Sequence, residues 1–320
     1  MMRLVKSMKS IFRYGMLAML IAVAACGNKG QKADNGDDFV PQKGDLKVTL
    51  AIGQDEQGTA DIDNAVEVLN RRLEKADLCQ YLVERTDDAI TVYARLDDDK
   101  DQPQLLQLLT ANGDIEFWET YHADEIVPLL HTLQTAFAPT SPLSLTDQAY
   151  NRNAIVGLAY VKDTASVNAM LRSEQAQKTL SGDLRLLWGI TPVTMDDGDD
   201  MLELFAIRTN YNEAPINGRN ITSAEAVIDQ YSSRPVVNLT MDNEGARTFA
   251  RLTKMNVGCA IAIVMDNTVY TAPIVQGEIT GGRCTIAGNF SIEDTRLLAD
   301  ILNSGWLPQN IRIRSCEEIL

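Results

Sequence analysis

The side chains best suited to enzyme chemistry are few and widely spaced in this sequence. The two histidines, His122 and His131, match neither a zinc-finger spacing nor the HExxH metalloprotease motif. Glu116 and Glu119 flank Trp118 and could act as an acid pair, but alternating, solvent-facing positions on a strand explain them better. No Gly-x-Ser-x-Gly nucleophile elbow and no phosphate-binding glycine loop occurs. We therefore predict a non-enzymatic protein without a catalytic, cofactor or metal site.

The charge of the chain is strongly acidic, with a formal net charge of −15 at pH 7. This charge argues against nucleic-acid binding and against direct docking on anionic lipid headgroups. Two acidic clusters, at 97–101 and 196–200, lie between periodic segments. Calcium sites use such carboxylates, but neither cluster has the spaced ligands and terminal glutamate of a calcium loop. Solvated loops are therefore the preferred interpretation.

Cys26 is the cysteine whose position predicts a chemical modification. It follows a basic segment and a short apolar run, a pattern typical of a secretory signal peptide. The run is shorter than the ~20 apolar residues that a membrane-spanning helix needs. The small residues Val23-Ala24-Ala25 before the cysteine resemble a bacterial lipobox, in which the cysteine thiol is acylated. We predict a lipoprotein signal peptide over 1–25 and palmitate-type acylation of Cys26; an ordinary signal peptide with a chance cysteine is the alternative.

The segment 26–44 is predicted to be a flexible tether. It is rich in Gly, Lys, Asp and Gln and has almost no apolar residue before Phe39, so it cannot bury enough surface to fold. No run of 18 apolar residues occurs after Cys26, so we expect no transmembrane helix. Residues 45–320 are long enough for one large or two small domains.

The spacing of apolar residues predicts mixed helices and strands in this folded part. Over 45–121 the order is strand, helix, strand, strand, helix, strand, which is the order of a ferredoxin-like unit. Downstream the pattern is weaker, and 222–230 is predicted as a helix entered at Asn220 or Thr222. The other predicted helices are 62–78, 105–109, 123–136, 166–171 and 174–180, and the predicted strands are 46–52, 81–85, 90–96, 114–118, 155–161, 184–188 and 201–208.

Residues 235–308 have the clearest pattern in the chain. β-Branched residues predict a strand over 236–241, and Asp242 is placed to cap the helix that follows. Ser291 with Asp294 forms a shortened capping box before a last helix. The same stretch contains the helix-ending glycines Gly258 and Gly305, a tight turn at Asp266-Asn267, and predicted strands at 260–265, 269–275 and 283–287.

The motifs of this stretch also resemble a protein family. The last third of the chain resembles the periplasmic domain of SecD, a subunit of the bacterial Sec preprotein translocase, because several motifs occur in the family's order and spacing. The matching motifs are NGRNIT at 217–222, DNEGA at 242–246, AIVMD at 262–266, TAP at 271–273, ITGG at 279–282, GNFSIE at 288–293, and LA at 298–299 followed by SG at 304–305 and LP at 307–308.

The resemblance implies an α+β fold with two parts. A ferredoxin-like base would comprise 45–120 plus 308–316, because the family's last strand returns to the base. A head of α+β structure, inserted into the base, would comprise 121–307. SecD subunits also have membrane spans that carry proton coupling. Since we expect no such spans here, the resemblance is limited to the periplasmic part.

The two parts that the resemblance implies also suggest how the remaining cysteines pair. Cys259 and Cys284 would lie in two strands of the head, while Cys79 would open a base strand and Cys316 would end the returning strand. An exported protein can oxidise its thiols. We therefore predict Cys79–Cys316 and Cys259–Cys284 disulfides, with four buried free thiols as the open alternative. The sequence has no CxxC motif, which argues against a thiol oxidoreductase.

The function that the resemblance implies is a role in protein export. We expect a lipid-anchored, periplasm-facing protein of the bacterial cell envelope whose head contacts polypeptide through apolar surface or strand edges. Its expected partners are components of the Sec translocon or exported polypeptides. One alternative is a scaffolding module that holds another envelope protein and has no part in export. A weaker alternative is a hydrolase whose site the sequence does not reveal.

Overall fold

A computed structural model describes residues 39–52, 59–76, 80–86, 89–96, 102–137, 142–146, 154–196, 198–209, 213–308 and 311–320. Within these ranges, no helix is both long enough and apolar enough to cross a membrane. In chain order the elements are β1 (Leu46–Ile52), α1 (Thr59–Lys75), β2 (Gln80–Arg85), β3 (Ala89–Arg95), α2 (Gln102–Thr110), β4 (Ile115–Thr120), α3 (Ala123–Phe137), β5 (Ser144–Leu145), β6 (Ile155–Tyr160), α4 (Thr164–Leu171), α5 (Glu174–Thr179), β7 (Leu184–Trp188), β8 (Val193–Thr194), β9 (Asp200–Arg208), β10 (Ile216–Asn217), β11 (Ile221–Ile228), β12 (Pro235–Met241), α6 (Asn243–Met255), β13 (Ile261–Met265), β14 (Thr268–Thr271), β15 (Arg283–Ala287), α7 (Ile292–Ser304) and β16 (Ile311–Glu318).

The first sheet is antiparallel, with the strand order β16-β1-β3-β2, and it packs with α1 and α2. This is the arrangement of a ferredoxin-like unit with β16 in the position of its fourth strand. The strand predicted at 114–118 does form as β4, but it pairs with β9, β10 and β13 in another sheet. In the chain, the elements from β4 to α7 therefore stand between α2 and β16, the strand that completes this sheet.

The second sheet is the largest and has the order β14-β13-β4-β9-β6-β5, with β10 on β4 and both β7 and β8 on β9. All five residues of β13 are buried, as expected for a strand that is covered on both faces. Asp266 and Asn267, at φ 52° and 61°, form the predicted tight turn into β14. The strand predicted at 269–275 is shorter in the structure, since β14 ends at Thr271 and Pro273 has no N–H to continue the ladder.

The third sheet, β11-β12-β15, contradicts one prediction from the sequence. The predicted helix at 222–230 is wrong, because most of this segment forms strand β11. Its Ala and Glu residues favour a helix locally, but β11 pairs with β12 over almost its whole length, and α7 packs against it. Such tertiary contacts override a weak local preference. The Thr222 hydroxyl, predicted as a helix cap, instead donates to the carbonyl oxygen of Thr240 at 3.0 Å.

The predicted capping residues hold the two helices of the C-terminal third. The Asp242 carboxylate accepts from the backbone N–H of Gly245 at 2.7 Å at the start of α6. Ser291 and Asp294 exchange side-chain-to-backbone hydrogen bonds of 3.0 and 2.9 Å before α7. Gly305, at φ 95°, directly follows α7. The predicted caps at Asp242 and at Ser291 with Asp294 are confirmed, because each satisfies backbone N–H groups that have no partner inside the helix; Gly305 ends α7 as predicted.

A buried arginine joins α1 to the ends of two other helices. Arg72 is fully buried and donates to the carbonyl oxygens of Leu108 (2.8 Å), Ala111 (2.5 Å), Asn112 (3.1 Å) and Gly305 (3.1 Å). These carbonyls lie at the C-terminal ends of α2 and α7, where backbone acceptors lack partners within the helix. Burial lowers the pKa of Arg72 to about 10, so the guanidinium remains charged at neutral pH.

Candidate functional site

An apolar groove opens between α6, β13 and β15, with a volume of about 400 Å³. The buried rings of Phe117 and Phe249 meet edge to face beside it, with their centroids 5.8 Å apart. The lining is therefore continuous with the main hydrophobic core. The residues that line the groove are Phe117, Phe249, Thr253, Ile261, Ile263, Pro273, Ile274, Val275, Gln276, Gly277, Ile279, Arg283, Cys284 and Thr285.

Helix α6 forms one side of the groove. Its apolar residues recur at helical spacing, so Phe249 and Thr253 lie on its buried face. The Thr253 hydroxyl donates to the Phe249 carbonyl at 2.7 Å and accepts from the backbone N–H of Ile279 at 3.0 Å. The helix ends at Met255, and Gly258, predicted to end it, follows in the left-handed conformation at φ 84°.

A loop of residues 272–282, which we call the groove loop, forms a second side. Its first half is fixed to the segment before β13 by backbone hydrogen bonds. The N–H of Val275 donates to the carbonyl of Cys259 at 2.9 Å, and the N–H of Ile261 donates to the carbonyl of Pro273 at 3.1 Å. This half of the loop is therefore an ordered wall of the groove.

The far end of the groove loop is held against α6. Gly282 has φ 59°, and a Cβ at this position would lie 2.6 Å from the Cβ of Ala246, so the conformation and the close approach both require glycine. Lys254 and Glu278 form an exposed ion pair at 3.5 Å. Exposed pairs of this kind contribute little stability, so the segment 276–278 is held mainly through the residues on either side of it.

Four large apolar side chains are exposed to solvent near the groove: Ile274 and Ile279 line it, and Met255 and Val257 lie at and just after the end of α6. Met255 is 70% exposed, Val257 53%, and Ile274 and Ile279 40% each. We call these four residues the apolar rim. Apolar side chains that cluster around a groove indicate a binding surface, whereas isolated ones do not. The sequence did not reveal them, because they lie at a helix end and in loops, where no periodicity separates surface from core.

Basic side chains lie on α6 and β15, two of the elements that form the groove. Arg247, Arg251 and Lys254 lie on the exposed face of α6, and Arg283 begins β15. We call these four residues the cationic rim. Within the described part of the chain, only Lys254 of the four has an ion-pair partner, Glu278. In a chain with a net charge of −15, this local positive charge would attract acidic groups.

Comparison with known proteins agrees with this architecture. Residues 205–309 match the family model of the SecDF P1 head subdomain. The protein translocase subunit SecD of Rhodothermus marinus is 38% identical over 176 residues, which are 55% of this chain and 28% of that protein. This chain has a domain similar to the periplasmic domain of SecD. The SecDF subunit of Thermus thermophilus is 40% identical to this chain over 104 residues, which are 32% of this chain and 14% of that protein.

Solved structures show the same SecD-like fold. A crystal structure of SecDF in a super-membrane-facing form has a TM-score of 0.53 and 24% identity, covering 86% of this chain and 30% of that one. A structure of a membrane component SecDF that enhances protein export has a TM-score of 0.51 and 23% identity, covering 85% of this chain and all of that one. The predicted α+β, SecD-like fold is confirmed. The chain nevertheless matches less than a third of the length of the SecD and SecDF proteins named above.

The SecD-like domain does not bring the candidate acid–base residues together as a site. Glu116 accepts from the indole N–H of Trp118 at 2.9 Å, while Glu119 accepts from the side-chain amide of Asn256 at 2.9 Å. The Nε2 atom of His122 lies 3.2 Å from the Sγ atom of Cys259. His131 is exposed on α3. The two glutamates therefore have separate structural partners.

The cysteines of the SecD-like domain are not arranged as predicted. The Cys259–Cys284 disulfide is absent, and both residues carry free thiols. Cys259 precedes β13 and faces His122, whereas Cys284 lies in β15 of a different sheet, where burial raises the pKa of its thiol to about 12. Cys316 carries an exposed thiol on β16, but Cys79 lies outside the described residues, so their bridge stays a prediction. Cys26 also lies outside these residues.

A polar cavity of about 730 Å³ lies near the turn between β13 and β14. Burial raises the pKa of its carboxyls Asp114 and Asp266 above their usual value. Asp266 accepts from the backbone N–H of Asn112 at 3.0 Å, and Asp114 accepts from that of Gly218 at 3.1 Å. Both carboxyls thus bind the chain itself. Among the described residues, no group of three or more His, Cys, Asp or Glu side chains could hold a metal ion; the cluster 97–101 falls outside them.

Proposed function

We propose that this chain is a non-enzymatic, lipid-anchored protein of the bacterial cell envelope that binds polypeptide during export. Its partners would be exported chains or components of the Sec translocon. The similarity to SecD and SecDF over residues 205–309 supports a role related to export. In this proposal, acylated Cys26 anchors the periplasm-facing domain to a membrane, and the tether 26–44 connects the two.

The observation that carries the proposal is the groove with its apolar rim. Unfolded polypeptides expose apolar side chains, and an apolar groove can bury them. The exposed positions Met255, Val257, Ile274 and Ile279 extend this apolar surface beyond the groove itself. A folded protein gains nothing from leaving such a cluster in water, so we assign it to contact with polypeptide.

The proposed domain division follows the same resemblance. The base comprises 45–120 plus 308–316, and the head comprises 121–307. Strand β4 ends the proposed base in sequence, yet it pairs with β13, which lies in the proposed head. We therefore propose that β4 links the two parts.

Binding of an unfolded protein tests the proposal. The full chain in nanodiscs of zwitterionic lipid would be titrated with a reduced, carboxymethylated globular protein. We expect the double variant Ile274→Ser/Ile279→Ser to bind about tenfold more weakly, because two exposed isoleucines no longer bury apolar surface in the contact. The control Val193→Ser/Ile313→Ser changes two side chains of similar exposure outside the groove.

Two outcomes would contradict the proposal. If the control pair weakens binding as much as the groove pair, the groove is not the site. If the chain binds no unfolded protein and instead copurifies in equal amounts with one folded envelope protein, it is a scaffolding module.

A further inference from the structure

Strand β15 is an open edge of the third sheet. It pairs with β12 on one side, and within the described part of the chain no strand pairs with its other side. Hydrogen-bonded and non-bonded positions alternate along an antiparallel pair. The N–H of Met241 donates to the carbonyl of Gly282 at 2.8 Å. Counted from Gly282, every second residue of β15 therefore forms backbone hydrogen bonds with β12. The backbone groups of Arg283, Thr285 and Ala287 therefore point away from the sheet.

This open edge adjoins the apolar groove. Arg283, Cys284 and Thr285 of β15 line the groove together with Ile261 and Ile263 of β13. An extended chain placed along β15 would thus have two kinds of contact. Its backbone would meet N–H and C=O groups that no strand in the described part of the chain pairs with, and every second side chain would point toward apolar surface.

The charges around the edge define which extended chain fits. Arg283 begins β15, and Arg247, Arg251 and Lys254 follow the exposed face of α6 beside the groove loop. Lys254 already pairs with Glu278 of the groove loop, so a segment that carries carboxylates next to its apolar residues would be attracted mainly by the three arginines. A segment with lysines or arginines there would be repelled.

We propose that β15 takes up an extended polypeptide segment as an added strand. Alternate apolar side chains of the segment enter the groove, and its acidic residues face the cationic rim. This inference rests on the proposed function and specifies the class of segment that the groove prefers. Because sequence-independent backbone pairing supplies part of the affinity, segments of different sequence can bind at the same edge.

Four labelled nonapeptides test the inference by fluorescence anisotropy on the full chain in zwitterionic nanodiscs. The first alternates valine and threonine and has aspartate at both ends; the second has lysine at both ends. The third and fourth are the first peptide with N-methyl groups on all its valines and on all its threonines, respectively. We expect the aspartate peptide to bind about tenfold more tightly than the lysine peptide at low salt, and this difference to shrink as salt is added. One of the two N-methylated peptides should lose binding, because N–H groups of alternate residues point to opposite edges of a strand.

Two substitutions locate the contact on β15. Thr285→Pro removes an N–H that points away from β12, and proline is tolerated at such edge positions, so the fold is retained. We expect Thr285→Pro to weaken binding of the aspartate peptide at least about tenfold. Thr285→Val keeps the N–H and removes only the hydroxyl, so it should bind this peptide as tightly as the unchanged chain does. Arg283→Glu should reduce the preference for aspartate over lysine ends.

The outcomes separate this inference from the proposed function. Strand addition is wrong if both N-methylated peptides bind as tightly as the unmethylated aspartate peptide and if Thr285→Pro binds that peptide as tightly as the unchanged chain does. Binding of unfolded protein through the apolar rim would still stand. If the aspartate and lysine peptides bind equally at low salt, the assignment of an acidic segment is wrong. Loss of all peptide and all unfolded-protein binding would remove the proposed function itself.

Discussion

Arg72 shows how one side chain can join elements that are far apart in the sequence. Among the described residues, its guanidinium donates to backbone carbonyls, at the ends of α2 and α7. A buried carbonyl that loses its partner costs about 1–3 kcal/mol. The long side chain of arginine can reach four such carbonyls at once, which lysine could not do with three donors.

Replacement of this arginine should destabilise the protein severely. We expect Arg72→Met to lower the free energy of unfolding by about 3 kcal/mol or more, since several buried carbonyls lose their partner together. Urea denaturation followed by circular dichroism would measure the change. Arg71→Met is the matched control, because Arg71 is the exposed neighbour on the same helix. Equal losses of unfolding free energy for the two substitutions would show that the buried hydrogen bonds of Arg72 do not stabilise the fold.

Asp45 should make stability depend on pH. Hydrogen bonds from Arg95, and a further one from the backbone N–H of Gln42, hold the pKa of the Asp45 carboxyl below its usual value. A carboxyl with a lowered folded pKa stabilises the fold above its unfolded pKa of about 3.9, and this contribution is lost as the pH falls through the folded value. We expect Asp45→Asn to cost about 1 kcal/mol at pH 7 and progressively less below pH 4.

Urea titrations of both proteins at pH 7 and at pH 3 would measure this dependence. The control is Asp63→Asn, since Asp63 forms only an exposed pair with Arg85. A destabilisation by Asp45→Asn that is the same at both pH values would mean that the charge of Asp45 is not what stabilises the start of β1.

At the scale of elements, the Thr253 hydroxyl is one of the contacts that attach the groove loop to α6. We expect Thr253→Val to free the backbone N–H of Ile279, which donates to that hydroxyl at 3.0 Å. Hydrogen exchange at Ile279 should become at least about tenfold faster, because the local opening loses a hydrogen bond of about 1 kcal/mol or more. Thr248→Val on the same helix is the control. Unchanged exchange at Ile279 would show that the loop is held elsewhere.

The elements also show what a sequence can and cannot predict. The caps at Asp242, Ser291 and Gly305 were predictable because they depend on residues within one turn of the helix end. Strand β11 was not, because its state depends on pairing with β12 and packing against α7, while its own residues favour a helix. The pairing of β4 with β13 likewise joins residues that are far apart in the chain.

The groove itself could not be located from residue types. Its apolar rim comes from a helix end and a loop, where exposure depends on tertiary packing. The resemblance to SecD predicted a contact with polypeptide but named no residue for it. The unpaired edge of β15 is visible only once the register with β12 is known. Position in the third dimension, and not composition, therefore defines the candidate site.

At the scale of the whole molecule, the proposed anchor predicts where the protein is found in the cell. Cys26→Ala removes the thiol that would carry the lipid. We expect the variant protein to leave the membrane fraction and to appear in the soluble fraction, because the acyl chains would supply the membrane affinity of a lipid-anchored protein. Cys316→Ala is the control, since it changes an exposed thiol without touching the anchor. A Cys26→Ala variant that still sediments with membranes would contradict the lipoprotein assignment.

The whole account depends on what occupies the groove in living cells. A photo-crosslinking amino acid would be placed at Val257 or at Ile279 in the apolar rim, and at Ile313 on β16 as the control of similar exposure. The account predicts that the two groove positions capture a spread of different exported chains, or the Sec translocon, and that Ile313 does not. Repeated capture of one unrelated envelope protein, or the same products from Ile313, would contradict it.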